Sequence, residues 1–413
     1  MSGSAVVIRG DAAALPLPDA SVDLVVTSPP YYALRAYQDG GQTYSGQIGT
    51  EPTPDEYIAN LLECTRECVR VLKPSGSLWV NLGDKYAAPA SGPRETLLSA
   101  HTVQWRERRA QAVWPVPHKS LVGIPWRYAL ACIDQLGLIL RAEVIWSKPN
   151  GLPESVTDRV RRSHEQWFHF TRQPRYYSAV DEIREPHTGG SHNSGPNAAV
   201  TKWQSGEGVR HRTARTDRDL FNPLGRLPGS VWEIASEPLQ VPAHLGVDHF
   251  AAFPTEWPRR IITGWSPPGI CVECGEGRRP VVSAHGETPR QRGRRAGYSG
   301  RYEKVNRQGL DTAGGHNTWR TFTVTGHACA CPEPTAPTRP AVVLDPFGGT
   351  GTTALVASVL GRVGISVDRS ADYCRLARWR TTDPGERARA ARVPKPPEEI
   401  DGQVSLFDAL EVT

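Results

Sequence analysis

Apolar residues fall in short runs separated by polar, glycine-rich or proline-rich stretches. AVVIRGD (5–11), SVDLVVT (21–27), SLWVNLG (77–83), LILRAEVIW (138–146), EQWFHFT (165–171), VWEIA (231–235), AVVLD (341–345) and RVGISVD (362–368) read as buried strands, being short, β-branched or aromatic and bounded by turn residues. Between them the period changes. Tyr57, Ile58, Leu61, Leu62, Thr65, Val69 and Leu72 recur at helical spacing behind Thr53-Pro54-Asp55-Glu56, an N-cap with proline and acids in the first turn. Helices are also expected at 121–136, 255–265, 351–360 and 370–380. Strands alternating with amphipathic helices predict an α/β fold, a mostly parallel twisted sheet with helices on both faces. Ligands of such sheets bind outside the carboxyl ends of the strands.

Two composition breaks interrupt this pattern. Residues 183–228 and 275–328 are polar, Gly-rich and basic; between Glu276 and Leu310 nine Lys/Arg face three Asp/Glu, a net of +6 against +5 for the whole chain. The expected organisation is therefore a first core half (1–182), a basic insert (183–228), a return to the core (229–270), a Cys-bracketed basic insert (271–331), a second core half (332–383) and a peripheral tail (384–413). Of 48 basic residues 41 are Arg, whose fork suits phosphates and guanine edges, although a GC-rich genome produces the same skew. No apolar run is long enough to span a bilayer and no secretory leader opens the chain, so a cytoplasmic protein with no membrane partner is expected. Eight Cys in 413 residues do not suggest a disulfide framework.

The first chemical signal is VVLDPFGGTGTTALVA (342–357). A strand delivers Asp345, Pro346 and Phe347, then Gly348, Gly349 and Gly351 permit a tight turn and close backbone approach before a helix. Asp368 closes the next strand, placed to accept hydrogen bonds from ribose hydroxyls. No Lys follows the glycines, which excludes a phosphate-loop ATPase, and the pattern is not G-x-G-x-x-G. A cofactor with an adenosine end but no pyrophosphate fits, and S-adenosylmethionine is one.

The second signal is VVTSPPYY (25–32), in which two prolines stop a strand and force a rigid loop. Here the chain resembles the amino-group DNA methyltransferases that modify cytosine N4 or adenine N6, whose motif is (Asp/Ser/Asn)-Pro-Pro-(Tyr/Phe). Ser28-Pro29-Pro30-Tyr31 most resembles the cytosine-N4 members, and its place before DPFGGTG resembles the permuted beta class. GDAAALPLPDASVDLVVTSPPY (10–31), VLKPSGSLWVNLGD (71–84), VIWSKPNGLPESVTDRVRRSHE (144–165), GSVWEI (229–234) and HFAAFPTEWPRRII (249–262) extend the likeness over about two-thirds of the chain.

The resemblance implies the S-adenosylmethionine-dependent methyltransferase fold, with circularly permuted motif order and inserted target-recognition regions, acting on DNA. It implies a catalytic role for Ser28, Pro29, Pro30 and Tyr31: the Ser28 hydroxyl and Pro29 carbonyl accept hydrogen bonds from the target amine, and Tyr31 stacks on a flipped base. It implies cofactor contacts from Asp11 near adenine, from Asp345 and Phe347, and from His249 and Phe250 on the methionine side, with His249 an orienter. Lys148 and Glu165 recur in the family pattern, as charges in the cleft or as scaffold. A cytosine-C5 mechanism lacks its Pro-Cys context. Cytosine-N4 transfer leads; adenine-N6 transfer and a catalytically silent, restriction-associated DNA-binding subunit are the alternatives.

The third signal is Cys271-x2-Cys274 with Cys329-x-Cys331, able to supply four sulfurs to a structural zinc. The second pair lacks the usual two-residue gap, so His316 or His327 is a possible substitute ligand, and free thiols are the other reading. Cys64, Cys68, Cys132 and Cys374 are expected to fill core space. The two basic inserts are the candidates for target recognition, against solvated loops with no DNA contact.

Overall fold

The computed structural model describes residues 3–33, 38–39, 42–43, 46–87, 115–151, 153–186, 222, 224–246, 252–285, 321–331 and 336–395. Strands β1 (Ser4–Arg9) and β2 (Val22–Thr27) open the chain, and two-residue strands β3 (Gln38–Asp39) and β4 (Gln42–Thr43) pair with each other. Helix α1 (Pro54–Val71) begins where the Thr53 hydroxyl accepts the Glu56 N–H, and buries Tyr57, Ile58, Leu61, Leu62, Thr65 and Cys68 on one face. It runs directly into β5 (Leu72–Leu82), which starts five residues earlier than the apolar pattern predicts. Helix α2 (Ile124–Leu136) is started by the Asp84 carboxylate, which accepts the N–H groups of Gly123 and Ile124, and is ended by Gly137 at φ +63°.

Next come β6 (Ile139–Ser147), β7 (His164–Thr171), β8 (Val231–Glu233), α3 (Glu256–Trp265), β9 (Ile270–Cys271), β10 (Arg279–His285), β11 (Thr321–Ala328) and β12 (Thr338–Arg339). The chain then returns through β13 (Val342–Asp345), α4 (Thr352–Val359), β14 (Val363–Asp368), α5 (Ala371–Thr382) and α6 (Pro384–Ala391).

Eight strands form one sheet in the order β1-β14-β13-β2-β5-β7-β6-β8. Every neighbouring pair is parallel except those made by β7, which is antiparallel to both β5 and β6. β2 is buried along its whole length, as a strand covered on both faces must be. The core joins Val22, Val25, Leu78, Val80, Phe168, Phe170 and Leu344 to the inner faces of α1 and α2. Toward the β8 edge the filling is aromatic: Trp257 stacks on Trp167 at 4.9 Å and on Trp232 at 5.0 Å, and Trp79 stacks on His169 at 4.5 Å. Among the described residues no helix is long and apolar enough to cross a membrane.

The chain divides into two compact units, residues 1–177, 230–262 and 340–413, and residues 178–229 and 263–339. The first holds the large sheet. The second contains the described parts of both basic inserts, with the β9–β12 and β10–β11 pairs. The β10–β11 hairpin lies in a stretch that carries no strand period, and its valines Val281 and Val282 are exposed.

The expected peripheral tail is corrected over its first part. Asp383 caps α6 by accepting the Glu386 N–H, and α6 buries Ala388 and Ala390 against α4 and α5. Its Glu386 pairs with the buried Arg380 at 2.8 Å. The small side chains of Ala388 and Ala390, set among charged neighbours, let this short helix approach α4 and α5 closely. Residues 396–413 lie outside the described residues.

Candidate active site

Four of the sequence-predicted residues, Asp11, Ser28, Asp345 and Asp368, meet at the carboxyl edge of four adjacent strands. Asp11 lies two residues past β1, Asp368 ends β14, Asp345 ends β13, and Ser28 follows β2. The register enforces this: Arg9 pairs with Asp368, Asp345 with Ser366, and Leu344 with Val25. Residues more than 300 positions apart in sequence are thus set side by side by parallel pairing alone.

The glycine loop lies flat on β14. A Cβ at Gly348 would sit 1.9 Å from Ser366 Oγ, and Gly351, at φ +74°, would bring one to 2.9 Å from Ala377 Cβ. Neither position accepts a side chain without displacement. Arg380 donates to the hydroxyls of Thr350 (2.9 Å) and Thr352 (2.6 Å), so its pair with Glu386 ties the loop to α6. Asp368 accepts the N–H groups of Gly349 and Ser370, both at 2.9 Å; burial nevertheless pushes its carboxyl up to about 6. Asp11 is half exposed, accepts the Ala13 N–H and lies 3.8 Å from Arg369. Glycines at the close approach, two carboxylates with remaining acceptor capacity at the same edge, and Phe347 half-buried beside them fit an adenosine-bearing cofactor.

Asp345, expected among the cofactor contacts, lies beneath the glycine loop. Its side chain is buried, with Oδ1 accepting from Thr27 Oγ1 (2.6 Å) and the Phe347 N–H (3.1 Å) and Oδ2 accepting from Thr353 Oγ1 (2.9 Å). Burial raises its carboxyl to about 6 despite these donors. Thr27 immediately precedes Ser28 and Thr353 lies in the first turn of α4, so one carboxylate joins the two motifs. Pro29 and Phe347 also line one small void, together with Thr27, Leu78 and Tyr128.

The SPPY loop is held from below. Tyr57 donates its hydroxyl to the Pro30 carbonyl at 2.7 Å. Ser28 Oγ donates to Asn81 Oδ1 at 3.2 Å, and the Tyr31 hydroxyl lies 2.7 Å from both Asn81 Oδ1 and Glu165 Oε2. Asn81 is itself oriented, donating through Nδ2 to the Gln166 carbonyl across the β5–β7 pairing. Lys148 completes the chain by pairing with Glu165 and covering the Trp146 ring at 4.0 Å. Burial, and then the Glu165 carboxylate, push the Tyr31 hydroxyl well above its ordinary range, so it stays protonated. Its ring rests on Gly83, where a Cβ would come within 2.6 Å. Asn81, Thr27 and Thr353 were not singled out by sequence reasoning; the polar Asn81 inside the apolar run SLWVNLG was the available signal.

His249 and Phe250 lie outside the described residues. Phe253, from the same segment, meets Trp167 edge-on at 5.8 Å. In the second unit Cys271, Cys274, Cys329 and Cys331 come together, their sulfurs all within 4.8 Å of one another. His327 instead pairs with Glu182 at 2.7 Å, and His316 lies outside the described residues. Cys64, Cys68, Cys132 and Cys374 are buried in the first unit.

Residues 22–272 and 338–378 match the N6/N4 methyltransferase family model, described as DNA methylase. The Type II methyltransferase M.Cfr9I of Citrobacter freundii is 34% identical over 275 residues, covering 65% of this chain and 75% of the relative. M.SmaI of Serratia marcescens, also a Type II methyltransferase, is 34% identical over 249 residues, covering 60% and 70%. Among solved structures, PvuII DNA methyltransferase (cytosine-N4-specific) aligns with all of this chain and 92% of its own, at a TM-score of 0.46 and 16% identity.

Proposed function

The chain belongs to the N6/N4 family of DNA methylases, and from that premise we propose that it transfers a methyl group from S-adenosylmethionine to cytosine N4 at a specific DNA sequence. The observation that carries the choice of base is Ser28 at the head of the Pro-Pro-Tyr loop, with its hydroxyl proton engaged by Asn81. With its proton so engaged, the serine oxygen keeps its lone pairs to accept hydrogen bonds.

An exocyclic amine is a poor nucleophile because its lone pair is delocalised into the ring. Acceptors for its two protons, Ser28 Oγ and the Pro29 carbonyl, favour the pyramidal nitrogen that can attack. Prolines at 29 and 30, with the Tyr57 bond to the Pro30 carbonyl, restrain those acceptors before substrate arrives. Tyr31, fixed at its hydroxyl by Asn81 and Glu165, offers a preset ring for a base taken out of the duplex. When bound, S-adenosylmethionine supplies the activated methyl group. Asp368 and Asp11 are assigned to its adenosine end, with the backbone of Phe347, Gly348, Gly349 and Gly351 along it, and His249 and Phe250 to its methionine side. Asp345 is assigned to joining the two loops. The inserts at 183–228 and 271–331 are assigned to target recognition, where arginines address phosphates and base edges.

The test digests DNA after incubation with enzyme and labelled cofactor and identifies the nucleoside by mass spectrometry. N4-methylcytosine is expected, and Ser28→Ala should lower turnover at least tenfold with cofactor affinity little changed. Exclusive N6-methyladenine would overturn the assignment of the base. Full turnover in Ser28→Ala would overturn the assignment of the loop.

A further inference from the structure

We propose that Cys271, Cys274, Cys329 and Cys331 bind one structural zinc ion that clamps the base of the β10–β11 hairpin. The four sulfurs lie within 4.8 Å of one another, although residues 275–328 separate the two pairs. A tetrahedral tetrathiolate zinc with bonds of about 2.3 Å places its sulfurs about 3.8 Å apart, within the 4.8 Å that spans these four. The N–H groups of Cys274 and Glu273 point at the Cys271 sulfur, and that of Glu276 points at the Cys274 sulfur. Gly275, at φ +73°, makes the reversal, with its N–H on the Cys271 carbonyl at 3.0 Å. This Cys-x2-Cys-Gly turn presents two sulfurs on one side and wraps them in donors.

Position in the fold gives the ion its task. Cys271 ends β9 and Cys274 lies five residues before β10, while Cys329 follows β11 directly. The ligand pairs therefore flank a two-stranded hairpin with exposed valines and little core, an element that is marginal in water without support. Four protein sulfurs leave no open coordination position, so the ion takes no part in the chemistry. On the reading of the inserts as target-recognition elements, it gives the strongly basic 276–310 stretch a rigid root.

Metal content is read without DNA or cofactor, so its failure and that of the methyl-transfer reading are separable. Full-length protein purified without chelator or added metal should carry one zinc per chain by elemental mass spectrometry. The Cys274→Ser/Cys331→Ser variant should lose it, and Cys132→Ser, in the other unit, should keep it. Because the double variant could misfold, wild-type protein exchanged into cobalt(II) provides a second reading: intense tetrahedral d–d bands with thiolate charge transfer are expected. Metal-free protein with these four thiols reduced or disulfide-bonded, iron in place of zinc, undiminished zinc in a folded double variant, or an octahedral cobalt spectrum would each overturn the proposal.

Discussion

Asp345→Asn isolates the electrostatic consequence of joining two motifs through one buried carboxylate. The substitution preserves every hydrogen bond. Oδ1 keeps Thr27 and the Phe347 N–H, while Nδ2 donates to Thr353, whose own proton can turn to the Val26 carbonyl 3.2 Å away. What changes is charge. The Asp345 carboxyl is raised by burial from 3.8 to about 6, so between those values the folded chain holds a proton that the unfolded chain has released. Wild-type stability therefore falls as pH rises through this window, and the full cost, about 3 kcal/mol, is present above it. Roughly half of that cost, about 1.5 kcal/mol, develops between pH 5 and 7.5. Asn carries none of it. Urea unfolding of wild type and variant without cofactor should show Asp345→Asn gaining about 1.5 kcal/mol relative to wild type on going from pH 5 to 7.5. The titration of Asp368 is common to both proteins and largely cancels in the difference, its charge being the smallest of the influences on Asp345. A difference between the two proteins that does not change with pH would refute the reasoning. Asp345→Ala is the contrasting change: it strands the Thr27 hydroxyl and the Phe347 N–H in the core, at about 1–3 kcal/mol each.

Two further outcomes test the cofactor edge. Ribose hydroxyls donate to an ionised carboxylate, so S-adenosylmethionine affinity should rise with pH and level off above about 6, the Kd at pH 5 being about tenfold weaker than at pH 7.5; in calorimetry Asp368→Asn should bind weakly and lose that pH dependence. Gly348→Ala forces a Cβ onto Ser366 and should lower stability by about 1–3 kcal/mol in thermal melts, whereas a Ser366→Gly background removes the two nearest atoms, at 1.9 and 2.9 Å, and most of that penalty should disappear.

The elements and residues legible in the sequence were those whose signal is local. β2, β13 and β14 announce themselves because a strand covered on both faces must be apolar throughout, and the glycine loop because its turn needs missing side chains. Family likeness added the meaning of SPPY. What stayed hidden depends on partners far along the chain. Asn81 matters because Ser28, Tyr31 and Gln166 surround it, 53, 50 and 85 residues away. The β10–β11 hairpin has half-exposed strands whose alternation is broken by a bulge at Val281/Val282, which removes the period that identifies a strand. Helix α6 was obscured because its buried charge, Glu386, is neutralised by an arginine in a different helix.

The position of Asp345 also bears on why the motifs can occur in this order along the chain. β13 and β2 are neighbours in the sheet although 314 residues separate Thr27 from Val342. Pairing between them, sealed by the Thr27–Asp345 hydrogen bond, depends on the two strand ends and not on the route between them. Whatever lies between must only return the chain to the sheet in the same direction. That leaves the intervening length free to carry a separate unit, and residues 178–229 and 263–339 form one. On the proposed reading, recognition elements there can be exchanged without disturbing the bonds that align Ser28 with the glycine loop. A direct expectation follows: shortening the 286–320 segment, which leaves every described hydrogen bond of the first unit in place, should preserve S-adenosylmethionine binding within about twofold in calorimetry while abolishing sequence-specific methylation. Loss of cofactor binding in a shortened protein that still folds would show that the two functions are not separable in this way.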